Sequence, residues 1–291
     1  MRSNNPVFTR SEEFSRPANS YGTQTYPGNG QPVPGYGAPQ QGYTDPATWG
    51  TGTPTSPATT ERMTIDSVVQ KTAISLAVVI ATAALTWWWV GDLATNAQIG
   101  QLYLALMVGS GGAFVLSLVN SFKKVISPPL VLAFAALEGV ALGAFSKFIE
   151  YNFVAEGERG IVVTAVLGTF GAFAGTLAAY RFFDIQVGQK FRTFVISAMF
   201  AMVGLGLVSL VMSLFGVQSG LFGFGTLGLI TAVAGLVLGV FMLILDFDFV
   251  ENGVAAGLPE RESWRAAFAL TVSLVWIYTN LLRILAILRG D

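Results

Sequence analysis

The chain has 291 residues, 53% of them hydrophobic and 11% charged, with no Cys, no His and a formal net charge of −1. Soluble domains carry roughly 25% charged residues, so this composition, with a mean hydropathy of +0.59, points to a bilayer as solvent. Without thiols or imidazoles there are no disulfides, no Cys or His metal centres, no Ser-His hydrolysis and no HExxH metalloproteolysis, and without a basic stripe there is no footprint for nucleic acid.

Residues 1–62 form the first unit in chain order. They include YGTQTYPGNGQPVPGYGAPQQGY, where Tyr21, Tyr26, Tyr36 and Tyr43 are spaced among Gly, Pro and Gln. Such a stretch buries too little apolar area to offset ordering entropy, so the expectation is a disordered cytoplasmic tail, either merely solvated or engaged in weak self-association or docking through its tyrosines. The opening MRSNNPVFTRSEEFSR has no apolar segment behind its charges and does not read as a signal peptide, so the first hydrophobic span is expected to stay as a helix.

Residues 63–291 are the membrane unit. A hydrocarbon core of about 30 Å takes roughly 20 apolar residues per helix, and segments near 72–90, 100–119, 129–149, 160–181, 193–216, 221–245 and 264–288 qualify. The expected fold is an all-α integral membrane bundle of seven helices. Breakers separate the spans: Gly91 and Asp92, Lys123 to Pro129 with Pro128 and Pro129 adjacent, Glu156 to Gly160, and Asp184 to Arg192. Between the fifth and sixth spans only Gly216, Ser219 and Gly220 can make the turn, which leaves a merged or broken helix open. In GLPERESWRAAF, Pro259 suits a first helical turn, and Glu260 and Glu262 suit the positive end of the last helix dipole.

Lys and Arg accumulate in cytoplasmic loops. An N-terminus inside puts Arg62, Lys71, Lys123, Lys124, Arg181, Lys190, Arg192, Arg261 and Arg265 on that side, against Lys147, Arg159, Arg283 and Arg289 on the other. Asp291 then lies outside, and the expected location is the cell membrane. Trp87, Trp88 and Trp89 close the first span and Trp264 opens the last, as interfacial anchors do. Gly139 with Gly143, Gly171 with Gly175, and Gly235 with Gly239 are spaced for close helix packing inside the bundle.

Ionisable side chains at bilayer depth cost at least ~2.5 kcal/mol by insertion scales, so each calls for a partner or a wet cavity. Glu138, in LEGVALG of the third span, is the deepest acid. Arg283, in TNLLRIL, shares a helix face with Asn280 three residues earlier, and the two can form a polar seam. The sixth span runs into LILDFDFVENG, which holds Asp246, Asp248 and Glu251. About 200° separates positions 246 and 248 on a helix, so those two cannot form one dyad. Whichever faces inward is a candidate proton-sensitive cation ligand; the alternative is that the acids merely end the helix and meet Arg261 or Arg265.

Three stretches, AFAALEGVALGAFSKFIE, LILDFDFVENG and ESWRAAFALTVSLVWIYTNLLRILAIL, resemble the Bax inhibitor family, also called the transmembrane Bax inhibitor motif or lifeguard proteins, and especially its bacterial branch. The resemblance covers residues 63–291. It implies a seven-helix bundle with the last helix central. It also implies a pH-sensitive calcium leak in which an Asp at the end of the sixth helix, in a YDxQ-like motif, pairs with an Asp in the seventh. Setting the closing Gly of that motif on Gly253 places the first Asp at Asp246 and the Gln-like position at Asp248. The second Asp falls on Ser273 or Asn280, neither acidic, and depth favours Ser273.

The expected function is therefore a passive cation pathway, with calcium as permeant ion, no cofactor and no enzymatic reaction. Asp246 is its acidic gate and a weak calcium ligand, Glu138 lines the interior, and Asp248, Ser273, Asn280 and Arg283 complete the candidate set. Another expectation is a non-conducting regulatory protein that binds membrane partners and modulates a stress response or a membrane-bound protease. An intramembrane aspartyl protease would need facing carboxylates, for which Asp246 with Glu138 is the conceivable pair, and GxGD is missing. Neither an inverted repeat nor a pair of broken helices marks a transporter site.

Overall fold

The computed structural model describes residues 61–153, 160–183, 185, 187–217 and 220–290. The expectations for the N-terminal tail with its four tyrosines, and for Glu156, Arg159, Asp184, Ser219 and Asp291, lie outside these residues. Seven helices among the described residues are long and apolar enough to cross a membrane: α1 (Ile65–Val90), α2 (Asn96–Phe122), α3 (Pro128–Phe153), α4 (Ile161–Phe182), α5 (Gln189–Leu214), α6 (Thr226–Ala255) and α7 (Glu262–Gly290).

Local chemistry sets several ends. Thr64 and Ser67 form a reciprocal cap on α1, each accepting from the other's backbone N–H at 3.1 Å; Thr95 and Gln98 do the same for α2. This satisfies N–H groups that a helix start leaves without intrahelical partners. Pro128 opens α3, where its missing N–H costs nothing. The fifth and sixth spans are two separate helices. Gly216 and Gly220 turn the chain between them at φ 77° and 68°, values that L side chains rarely adopt.

Two boundaries differ from the sequence reading. The acids of LILDFDFVENG do not end α6, which runs on to Ala255. Pro259 does not enter α7, which begins at Glu262. Pro259 instead sits opposite Arg62 in a short antiparallel bridge, with the Met63 N–H donating to Leu258 O at 2.7 Å.

The last helix is the hub, as the resemblance implied. α7 packs against α1, α3, α4 and α6, whereas α5 touches α6 alone among the described helices. The most apolar window of α7 is 61% buried in protein and that of α5 is 6% buried. Composition follows from this: α5 meets hydrocarbon almost all round, and α7 can carry Thr271, Ser273, Asn280 and Arg283 inside the bundle.

Gly139 and Gly143 let α1 in. A Cβ on Gly139 would overlap Thr82 and the Val79 carbonyl, and one on Gly143 would sit 2.9 Å from Ala83 Cα and closer to its carbonyl. Gly235 and Gly239 likewise face Asn280 and Ile277 of α7. The third pair departs from expectation, because Gly171 and Gly175 face open space on α4. We expect Gly143→Ala to lower stability by about 1–3 kcal/mol through overpacking, and Gly171→Ala to leave thermal unfolding in detergent unchanged or slightly raised.

A polar clasp joins the start of α1 to the α6–α7 turn. Lys71, buried in α1, donates to Glu260 Oε1 at 2.6 Å and to the Glu260 carbonyl at 3.2 Å. Beside it, the Ser67 and Ser263 hydroxyls are 2.7 Å apart. The Lys71 hydrogen bond, followed by Glu61 and by the Lys71 charge, holds the Glu260 carboxyl below its ordinary value of 4.5. Stability from a depressed acid is full above the unfolded pKa and is lost as pH falls through the folded one. The melting temperature of the wild type should therefore exceed that of Glu260→Gln at pH 7, and the gap should close as pH drops below about 4. A gap that persists there would sever the carboxylate from the effect.

Candidate functional site

The antiparallel contact of α6 with α7 carries a run of polar side chains in a single register. At one end, Ser273 Oγ of α7 donates to Asp246 Oδ2 of α6 at 2.5 Å. Trp276 Nε1 donates to the Gly235 carbonyl at 2.8 Å. Asn280 lies against Gly235 and donates to Trp276 O at 2.8 Å. At the far end, Arg283 Nη2 reaches the carbonyls of Gly223 and Gly228 at 3.3 and 3.4 Å, and its guanidinium stands 5.5 Å from the Phe222 ring. Ser273, Trp276, Asn280 and Arg283 are three, seven and ten residues along, which is one face of a helix. Gly235 and Gly239 of α6 are the positions that admit Asn280 and Trp276.

The seam satisfies its polar atoms unevenly. Arg283 is buried, and its Nε has no hydrogen-bond partner among the described residues. Its two contacts are to neutral carbonyls at the long end of hydrogen bonding. Asp246, by contrast, is met by a hydroxyl and by no cation among the described residues.

The other acids of α6 turn away from α7, as the angle between them requires. Asp248 accepts from Arg192 Nη2 of α5 at 2.6 Å, and Glu251 accepts from the Tyr180 hydroxyl of α4 at 2.7 Å. Arg265, one of the cations expected to meet them, pairs with Glu262 and donates to Lys124 O at 2.8 Å. The partnership of Asp248 with Arg192 was open to a depth argument: one opens α5, the other stands near the end of α6, and the two helices are antiparallel neighbours.

Glu138 lies on the stripe of α3 that meets α7, one turn after Phe134, whose ring is 5.0 Å from Phe268, and one turn before Leu142. It stands ten residues into α3, about 15 Å at 1.5 Å per residue. By the same rise, Ser273 is about 16 Å into α7 and Asp246 about 14 Å from the end of α6. The two acids therefore share a depth, but no hydrogen bond joins them, and Glu138 has no polar partner among the described residues. Of the two positions aligned with the second Asp, Ser273 and not Asn280 is the one bonded to Asp246.

Calcium takes six to eight oxygen ligands. No group of three acids converges among the described residues, so what Asp246 and Ser273 can offer a cation is a brief contact and not a cage. Sequence reasoning missed one further polar pair, the Tyr278 hydroxyl of α7 and Ser146 Oγ of α3, 2.6 Å apart. Only knowledge that α3 and α7 run parallel in contact would have found it.

No individual curated protein matches the sequence. The sequence profile of the family described as Bax inhibitor 1 like matches residues 5–290, nearly the whole chain and more than the 63–291 over which the motifs carry the resemblance. With seven membrane-length helices gathered round the last one, the chain is a multi-pass membrane protein that belongs to the Bax inhibitor 1 like family.

Proposed function

We propose that the protein is a passive cation leak, with calcium as the permeant ion, and that the contact between Asp246 and Ser273 is its closed gate. One observation carries this reading: a carboxylate lies well inside a membrane helix and is held by a neutral hydroxyl on the central helix. A carboxylate countered by Arg or Lys would be a structural pair. One held by a hydroxyl keeps its charge available to a passing cation, and the hydroxyl is a bond that the cation can replace. Glu138, at the same depth and without a polar partner among the described residues, is the second acid of the pathway. The Lys and Arg asymmetry supports a cytoplasmic position for this end of the bundle, and on this reading the membrane is the cell membrane.

Two substitutions test the gate in liposomes carrying a calcium dye. Asp246→Asn should lower calcium entry, and entry equal to wild type removes Asp246 from the mechanism. Ser273→Ala should raise it about three-fold, at the ~0.6 kcal/mol that a side-chain bond between membrane helices contributes to the closed state. No change on losing the hydroxyl would contradict its role as latch.

A second reading has its own support. The α6–α7 seam is hydrogen-bonded through Ser273, Trp276 and Arg283, and a cavity between α1 and α4 is lined almost wholly by apolar groups. Both suit a non-conducting protein that acts on membrane partners in a stress response or on a membrane-bound protease. Deleting residues 1–60 separates the readings: calcium flux kept while partner capture is lost supports the regulatory role, and flux lost with the tail argues against it.

A further inference from the structure

Away from the seam, α1 and α4 lie on either side of α7 without packing on each other. Between them is a slot of about 280 Å³, floored by α7 and flanked by α3. Ile80 and Ala84 form one wall and Val166 and Phe170 the other, with Tyr278 at the base. Ile80 is 52% exposed and Phe170 43%, so the lips of the slot face sideways, where the bilayer lies.

The slot is lined almost wholly by apolar groups, and its hydroxyl donors are all committed. Ser146 Oγ donates to Leu142 O at 2.6 Å, which leaves the Tyr278 hydroxyl to donate to Ser146 at 2.6 Å. Thr169 Oγ1 donates to Ala165 O at 2.8 Å. A buried water needs two to four polar partners, and apolar cavities stay dry. Leaving this volume empty would forfeit dispersion contacts over the whole lining. The filler at hand in a membrane is an acyl chain.

One end of the slot is built differently. Trp87, near the close of α1, lines it, and the Lys147 ammonium stands 4.4 Å from the centre of that ring. Asp92 is 3.8 Å from Lys147 Nζ, long for an ion pair, and its side chain is almost wholly exposed. Trp and Lys at a helix end mark the headgroup level, and an ammonium there complements a phosphate. We propose that the slot is a lipid site that takes one acyl chain of a glycerophospholipid between α1 and α4, with the lipid phosphate on Lys147.

The test is photolabelling of the full chain in vesicles doped with a phospholipid that carries a diazirine in mid-chain, with labelled residues mapped by mass spectrometry. Label should concentrate on Ile80, Ala84, Val166 and Phe170 above Leu205 and Val208, which are comparably exposed on α5. Ala84→Phe, which fills the slot from its lip, should abolish that excess, and Val166→Phe from the opposite wall serves if the first variant is not monodisperse. Lys147→Gln should reduce it. Equal labelling of slot and α5, or an excess that survives a folded slot-filling variant, overturns the site. A diazirine fatty acid that labels the slot as strongly, and ignores Lys147→Gln, would assign it to free fatty acid and overturn the phospholipid proposal.

Discussion

Hydrocarbon supplies no hydrogen bonds, so a helix bearing Ser273, Asn280 and Arg283 can lie within it only where neighbouring protein provides the partners. In this bundle α6 provides most of them. Its glycines bring the α7 backbone close, the Gly235, Gly228 and Gly223 carbonyls become acceptors, and Asp246 takes the Ser273 hydroxyl. The same glycines that look like packing residues are thus the condition for a polar face at the centre of a membrane protein.

The rest of the architecture follows from burying that face. α7 must be covered on the sides that α6 leaves open, and α1, α3 and α4 do so, each adding at most a local polar contact such as Ser67 with Ser263 or Ser146 with Tyr278. α2 completes α3 and α1 from outside, where Gly109 lets the Ala141 backbone approach. α5 has the single task of flanking α6, and its Arg192 neutralises Asp248, the acid that the twist of α6 turns away from α7. The two carboxylates two residues apart are thereby divided, one to a cation on the periphery and one to a hydroxyl at the centre.

Much of this was legible in the sequence. Hydropathy fixes the number of spans because a bilayer imposes a length, and helical geometry alone separates Asp246 from Asp248. What could not be read were facts of tertiary register. Gly171 with Gly175 has the same spacing as Gly139 with Gly143, and only the neighbour that arrives distinguishes them. Pro259 and Glu260 look like the opening of a helix, but Met63 and Lys71 draw that segment into a bridge and a clasp from nearly two hundred residues away. The continuation of α6 to Ala255 is hidden for a related reason: DFDFVENG is polar enough to end a span, and the partners of Asp248 and Glu251, Arg192 and Tyr180, stand on other helices.

The seam also bounds what a leak through it would be. Passage along α6 and α7 requires breaking the Ser273, Trp276 and Arg283 contacts, four hydrogen bonds in all. Side-chain bonds between membrane helices contribute about 0.6 kcal/mol each, since the separated state finds other partners. Their sum, about 2.4 kcal/mol, would leave an open state populated at roughly one part in a hundred before any packing is counted. Such a population suits a slow leak and not a fast channel. Trp276 and Arg283 hydrogen-bond to backbone carbonyls, which no side-chain substitution on α6 removes. Among the hydrogen bonds of the seam, the one between Ser273 and Asp246 has a side chain on both helices, and so on the proposed reading it is where a proton or a cation would change the balance.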